Sequence, residues 1–315
     1  MLKFQPSVVR VLSNDENGLF EMEQEFGDNP VLRFLLGDMR DRERLRLAIR
    51  DIDIVFHAAA LKHVPISEYN PFEVVHTNVF GTQNLLEASV WRGVDKFILI
   101  STDKAVNPTS TVGASKLLCE RLVTDAASYR GPKLGAFSCV RFGNVLGTRG
   151  SVTNTFASQI ARGGPVTVTD KRMTRFVMLP QDAIRLVLKS TEIATGGEIF
   201  VLKMDGASIL DLAQAMIDEL APTCGFNPKD VRIEEIGMRA GEKLHEELMT
   251  EQESSRSFES GDLYAILPYG EASQAYLDFK PAKLSSYTSD NVRRLTYEEL
   301  RQLCKKVPQQ SLASL

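Results

Sequence analysis

Short runs rich in β-branched and apolar residues, each followed by a segment of helical spacing, recur from residue 8 to residue 142. This alternation constrains the fold more than any other property of the chain. Strands are expected at 8–12, 31–36, 52–56, 96–101 and 136–142, with helices near 17–26, 41–49, 71–91 and 111–128 between them. In the segment 71–91, Phe72, Val75, Val79 and Leu86 share one helical face. Strands joined through helices of this length run parallel, with right-handed crossovers and both faces of the sheet covered. The first half therefore reads as a doubly wound α/β domain.

After Gly143 the alternation loosens. Helices are expected at 152–162, 181–193, 209–220 and 242–249, with strands at 166–169, 199–202 and 231–236. The stretch 250–294 reads as irregular, before a last helix at 297–305. This pattern predicts a smaller C-terminal domain interleaved with the first. Residues 1–145 and 180–203 are assigned to a cofactor domain, and 146–179 and 204–315 to a substrate domain that closes over the carboxyl ends of the strands.

With 37 Lys+Arg against 41 Asp+Glu and no basic block, the chain lacks the positive stripe that nucleic-acid binding requires. Its four cysteines are scattered without CxxC spacing and only four histidines are present, so neither a disulfide framework nor a metal site is expected. The longest apolar runs, such as Phe97-Ile98-Leu99-Ile100, are far too short for a membrane span. Nor does the N-terminal segment resemble a secretion signal. A cytoplasmic protein acting on a small molecule is expected, as a homo-oligomer.

A dinucleotide-binding domain should open with a strand, a G-x-G-x-x-G turn and a helix, because backbone N–H groups must approach the pyrophosphate closely. Nothing of this kind precedes Val8. Asp15, after the first visible strand, stands where the second strand of such a fold carries its ribose-binding acid, normally about 20 residues beyond the glycine turn. The sheet thus lacks its first strand and glycine loop in this chain. A second glycine run, Gly143 to Gly150, also follows a strand and precedes a helix, and reads either as a dinucleotide loop or as a differently used one.

The strand 96–101 ends in Ser101-Thr102-Asp103-Lys104, gathering hydroxyl, carboxylate and ammonium groups where open α/β sheets bind ligands. Lys116 follows on the next helix. The strand 52–56 ends in His57-Ala58-Ala59-Ala60, whose small side chains admit a flat ligand, followed by Lys62 and His63.

Together these segments resemble one family. Gly37-Asp38-Met39-Arg40, His57 to Pro65, Thr77-Asn78, Ser101 to Ala105, Arg141-Phe142-Gly143-Asn144-Val145, Met173-Thr174-Arg175-Phe176 and Gly237 to Leu244 occur in the order found in nucleotide-sugar 4,6-dehydratases of polysaccharide biosynthesis. That group lies within the extended short-chain dehydrogenase/reductase superfamily, whose fold is Rossmann-like. The resemblance runs from about residue 8 to 250. It implies NAD or NADP, with NAD favoured by Asp15 and Glu16, no metal, and a UDP-N-acetylhexosamine substrate, with UDP-N-acetylglucosamine expected.

On this resemblance Asp38 and Met39 would lie at the adenine, Asn78 would support the pocket, Ala58, Ala59 and Ala60 would line the cleft, and Lys116 would bind the nicotinamide ribose. Lys62, His63 and Asn144 would touch the sugar nucleotide, while Arg175, Arg239 and Glu242 would hold its UDP. The implied chemistry oxidises C4, eliminates water across C5 and C6, and returns hydride to C6. Lys104 would be the base at C5, given a lowered pKa through burial, and Asp103 the acid at the C6 hydroxyl. Val112 stands where the superfamily carries a tyrosine, leaving Thr102, Lys116 or a water to serve the C4 hydroxyl. A C4 epimerase, or a cofactor-less sugar-nucleotide-binding scaffold, remains an alternative.

Overall fold

The computed structural model describes residues 1–126, 135–269 and 274–306. Strand β1 (Val9–Ser13), helix α1 (Glu16–Phe26), β2 (Leu32–Leu36), α2 (Arg42–Ala48) and β3 (Ile54–His57) come first. Two short helices follow, α3 (Val64–Tyr69) and α4 (Pro71–Val74), then a π-helical turn (Val75–Phe80) leading straight into α5 (Gly81–Arg92). The domain continues with β4 (Lys96–Ile100), a 3-10 turn (Asp103–Ala105), α6 (Thr111–Thr124) and β5 (Ala136–Arg141). The expected helix 111–128 is thus present to Thr124, and its last two positions lie outside the described residues.

Beyond β5 the chain forms β6 (Asn144–Val145), α7 (Val152–Ile160), β7 (Val166–Val168), β8 (Thr174–Met178), α8 (Pro180–Ile193), β9 (Ile199–Leu202), β10 (Gly206–Ser208) and α9 (Ile209–Leu220). The last part carries β11 (Ile233–Glu235), β12 (Glu247–Met249), α10 (Glu251–Ser254), β13 (Ser257–Ser260), β14 (Leu263–Ile266), β15 (Lys280–Pro281), β16 (Tyr287–Thr288) and α11 (Tyr297–Lys306).

The main sheet has the order β15-β13-β14-β9-β5-β4-β3. Its β3, β4, β5 and β9 are parallel, as the helix-length connections require. Phe97, Ile98 and Leu99 of β4 are fully buried, and each contributes about 1.5–3 kcal/mol through removal from water. Strands β1 and β2 pair in parallel as a separate two-stranded sheet. Among the described residues β1 pairs with β2, and the main sheet ends at β3.

Two features differ from the sequence expectations. The stretch 250–294 is not irregular: β13 and β14 form an antiparallel hairpin that pairs with β9. Its first strand, Ser257-Phe258-Glu259-Ser260, reads as loop, yet its partner Leu263–Ile266 is wholly buried. Residues 257–266 therefore extend the main sheet that holds β3, β4 and β5. Segment 242–249 is not helical either. Arg175 takes the carbonyls of Lys243 and Leu244, which a helix would need internally, and Glu247–Met249 pairs with β16 instead.

Two apolar cores result. One lies around the main sheet and includes Phe97, Phe137, Phe200 and Ile266. The other joins Phe156, Ile160, Val166, Leu212 and Ile217 with Leu300 of α11, and so centres on α7, β7 and α9. Among the described residues no helix is long and apolar enough to cross a membrane.

Candidate active site

The buried strand β4 delivers Thr102, Asp103 and Lys104 to its carboxyl end. Thr102 caps the short turn there: its hydroxyl accepts from the Lys104 N–H at 3.4 Å and donates to Asp103 Oδ1 at 2.7 Å. Lys104 Nζ donates to the same Asp103 oxygen at 3.0 Å. Asp103 is fully buried, and its Oδ2 has no partner among the described residues. A buried carboxylate oxygen without a donor is costly, so the turn presents an acceptor ready for a hydroxyl.

Lys104 departs from expectation. Burial pulls its ammonium down, but the carboxylates of Asp103 and Glu246 outweigh that effect and hold it above its ordinary value. Lys104 is thus biased toward its charged form. Lys116 shows the opposite balance: burial lowers it, and its Nζ donates to the Ile100 carbonyl at 2.7 Å.

Helix α6 is seated by several local devices. Ser110 caps it through the Gly113 N–H at 3.1 Å, and Glu68 of α3 accepts from the Thr111 N–H at 2.7 Å. Gly113 faces the Lys104 carbonyl so closely that a Cβ would stand 2.2 Å from that oxygen. Val112, where a tyrosine was noted as missing, is buried.

At the end of β3, Ala58 and Ala59 are exposed and Ala60 half-buried, leaving an open strand end. Asn78 fixes the following residue: its Oδ1 accepts from the Leu61 N–H at 2.8 Å, and its Nδ2 donates to the Leu61 carbonyl at 3.0 Å and to Ser115 Oγ at 2.9 Å. One buried amide thereby ties the β3 loop to α6.

The expected substrate contacts are divided. Asn144 presents a buried Oδ1 with no partner among the described residues. Lys62 donates to the Arg149 carbonyl at 2.6 Å, and burial lowers it. The His63 ring lies against Gly150, where a Cβ would come within 2.2 Å of it. The second glycine run is therefore packed on the β3 loop. Arg239 is exposed, and its backbone N–H donates to Glu242 at 3.0 Å, closing a turn between the two.

Arg175 does not stand ready for a diphosphate. Its Nη1 donates to the carbonyls of Thr174 and Leu244, its Nη2 to that of Lys243, and its Nε lies 3.7 Å from Glu246. These bonds bring the 243–246 segment onto the site, so the guanidinium is here a brace for the loop.

The residues expected at the adenine are likewise self-satisfied. Asp38 is gripped by the Arg40 side chain and backbone, and Met39 is buried against Gly81. Asp15 caps α1 through the Gly18 N–H at 3.0 Å and meets Arg149 at 3.2 Å. The N-terminus of α1 therefore already holds an anion of its own.

Sequence reading missed two groups. Glu246 reaches Lys104 Nζ at 3.3 Å from a segment expected to be helical. Beneath the site, Arg141 is clamped between Glu120 and Glu253, and Ser101 donates to Glu120 at 2.6 Å. Arg141 was visible only as part of a motif; its two acids carry no local signal.

A family model described as polysaccharide biosynthesis protein matches residues 1–268. An uncharacterized membrane protein of Methanocaldococcus jannaschii is 48% identical over 307 residues, covering 98% of this chain and 90% of that protein. A UDP-N-acetylglucosamine 4,6-dehydratase (inverting) of Campylobacter jejuni is 40% identical, covering 91% and 86%. A UDP-glucose 4-epimerase of Rickettsia canadensis is 38% identical, covering 94% and 86%. Among solved structures, Pen from Bacillus thuringiensis superposes with a TM-score of 0.91 at 44% identity, covering 98% of this chain and 92% of that one. A dTDP-glucose 4,6-dehydratase from Streptomyces venezuelae with NAD bound shares the fold at a TM-score of 0.65 and 24% identity, covering 76% and 77%.

Proposed function

The chain belongs to the family of polysaccharide biosynthesis proteins, and from that premise we propose that it is a nucleotide-sugar 4,6-dehydratase acting on UDP-N-acetylglucosamine. The observation that carries this reading is the Thr102-Asp103-Lys104 turn, where a buried carboxylate with a bare oxygen is paired to an ammonium at the end of β4.

The residues present fit the nicotinamide-ribose half of a dinucleotide. Ala58, Ala59 and Ala60 leave room at the strand end, Asn78 anchors the loop behind them, and Lys116 stands on the facing helix. NAD is preferred to NADP, because Asp15 and Glu16 would repel a 2′-phosphate. The cofactor supplies hydride exchange with the hexose.

Lys116, lowered by burial, and Thr102 are the groups for the C4 hydroxyl proton. Lys104 passes its ammonium proton to Asp103, which gives it to the departing C6 hydroxyl, and the free amine of Lys104 takes the proton from C5. Asn144, Lys62 and His63 meet the sugar, and Arg239 with Glu242 meets the UDP. Arg175 reaches the diphosphate only by letting go of its carbonyl partners. Exposed Ile66, Tyr69, Phe72 and Phe80 support a homo-oligomer, and the free thiols of Cys119, Cys139, Cys224 and Cys304 support a reducing, cytoplasmic setting.

The test is incubation of the purified protein with UDP-N-acetylglucosamine and NAD or NADP, followed by mass spectrometry. Loss of one water, giving the 4-keto-6-deoxy sugar nucleotide, is the expected result; an unchanged substrate overturns the reading. A second reading, a C4 epimerase, is favoured by the Rickettsia relative. It predicts the C4 epimer without loss of water.

A further inference from the structure

Lys104 has a second carboxylate partner that comes from a distant part of the chain. Glu246 Oε1 lies 3.3 Å from Lys104 Nζ, compared with 3.0 Å for Asp103 Oδ1. The ammonium therefore sits between two acids supplied by separate segments. Glu246 is 3% exposed. Its backbone is pinned by the buried Ser289, whose Oγ accepts from the Glu246 N–H at 3.0 Å and whose N–H donates to the Glu246 carbonyl at 2.8 Å.

A buried ion pair that serves only to hold a fold satisfies its remaining lone pairs, since each bare oxygen counts against it. Here both acids leave one oxygen bare: Asp103 Oδ2 and Glu246 Oε2 have no partner among the described residues. Two unmet acceptors thus flank one ammonium at the end of β4. We propose that Glu246 is a positioning residue acting through Lys104: facing Asp103 across the ammonium, it holds Lys104 in place and governs the exchange of its proton. This rests on the dehydratase reading, in which Lys104 must release a proton before it can accept the one at C5.

The charges around Lys104 are Asp103 on its own turn, Glu246 on the segment before β12, and Arg175 on β8, with Lys243 beside them. Asp103 and Glu246 favour the ammonium, while Arg175 and Lys243 oppose it. Glu246 also shares Oε1 with Arg175 Nε at 3.7 Å. Removing its charge therefore tips the balance toward the free amine.

The experiment follows the Lys104 side chain directly, by NMR titration of the full-length protein carrying lysine labelled at Cε, with the Lys104→Met spectrum identifying the resonance. Glu246→Gln is expected to lower the Lys104 midpoint by about one pH unit. Glu246→Asp, which keeps the charge but withdraws it by one methylene, is expected to fall between, and it carries the test should the Gln variant not fold. The ascending limb of turnover against pH should move to lower pH in the same order. An unmoved Lys104 midpoint in the variants overturns the inference, because a merely structural acid would change stability and leave that titration alone. Absence of any dehydrated product would instead strike the functional reading, since the titration needs no substrate.

Discussion

The guanidinium of Arg141 is joined to Glu120 by two parallel bonds, Nε to Oε1 at 2.8 Å and Nη2 to Oε2 at 2.7 Å, with both side chains 1% exposed. Glu253 takes the other side of the same guanidinium at 2.8 Å. Removing one member leaves the others charged and dry, at a cost of about 3–5 kcal/mol. Glu120→Ala should lower the urea midpoint accordingly. A loss below about 1 kcal/mol would mean that water reaches the network.

Asp103→Asn keeps shape and burial but removes the acid. Turnover of the sugar nucleotide should fall by about 10²–10⁴-fold, while calorimetry finds UDP-N-acetylglucosamine bound about as tightly as before. Unchanged turnover would remove Asp103 from the reaction.

Asn78→Ala would strip partners from the N–H and carbonyl of Leu61 and from Ser115 together. Unfolding measurements should show a loss of about 1–3 kcal/mol. Proteolysis should speed up in the loop after β3, and an unaltered cleavage rate there would contradict the tie to α6.

His57 is buried against Thr82, with a ring-to-hydroxyl distance of 2.8 Å. Burial, aided by the Lys116 ammonium, pushes it down from 6.5 to about 3. Between those values the unfolded chain binds a proton that the folded chain refuses, so stability rises with pH across this window. Acidification from 6.5 toward 3 should therefore remove up to about 1.4 kcal/mol per pH unit. His57→Gln should flatten that part of the stability curve, and equal slopes in both proteins would disprove the assignment.

Gly113→Ala would drive a methyl into the Lys104 carbonyl, a backbone atom that cannot swing aside. A destabilisation of about 1–3 kcal/mol is expected. Turnover should drop as well, because the 103–105 turn must shift; full activity in a folded variant would show that α6 has room to spare.

The parallel half of the sheet and the Thr102-Asp103-Lys104 turn could be read from the chain because both are local. A run such as Phe97 to Ile100, short and set between two helical segments, reads as a buried strand, and its end is where chemistry collects. Glu246 and the β13–β14 hairpin could not be read in this way. Glu246 acquires meaning only when Arg175 draws the carbonyls of Lys243 and Leu244 out of a helix, and Ser257–Ser260 becomes a strand only because β14 is buried beside β9. Arg175 is a related case. Its side-chain type matches a diphosphate, whereas its neighbours supply carbonyls.

The π turn at Val75–Phe80 has a consequence for how this chain can vary. Such a turn is one residue longer than the regular helix needs, and its Asn78 carbonyl accepts from the Gly81 N–H, the Thr82 hydroxyl and the Cys119 thiol together. Deleting a single residue there would yield a more regular helix. It would also rotate everything on one side of the deletion by about 100° relative to the other. The buried face of α5, with Leu85, Leu86 and Ala88, would then no longer match the anchor at Asn78. Substitutions can accumulate one at a time along this helix, but its length is locked by two surfaces that must face correctly at once.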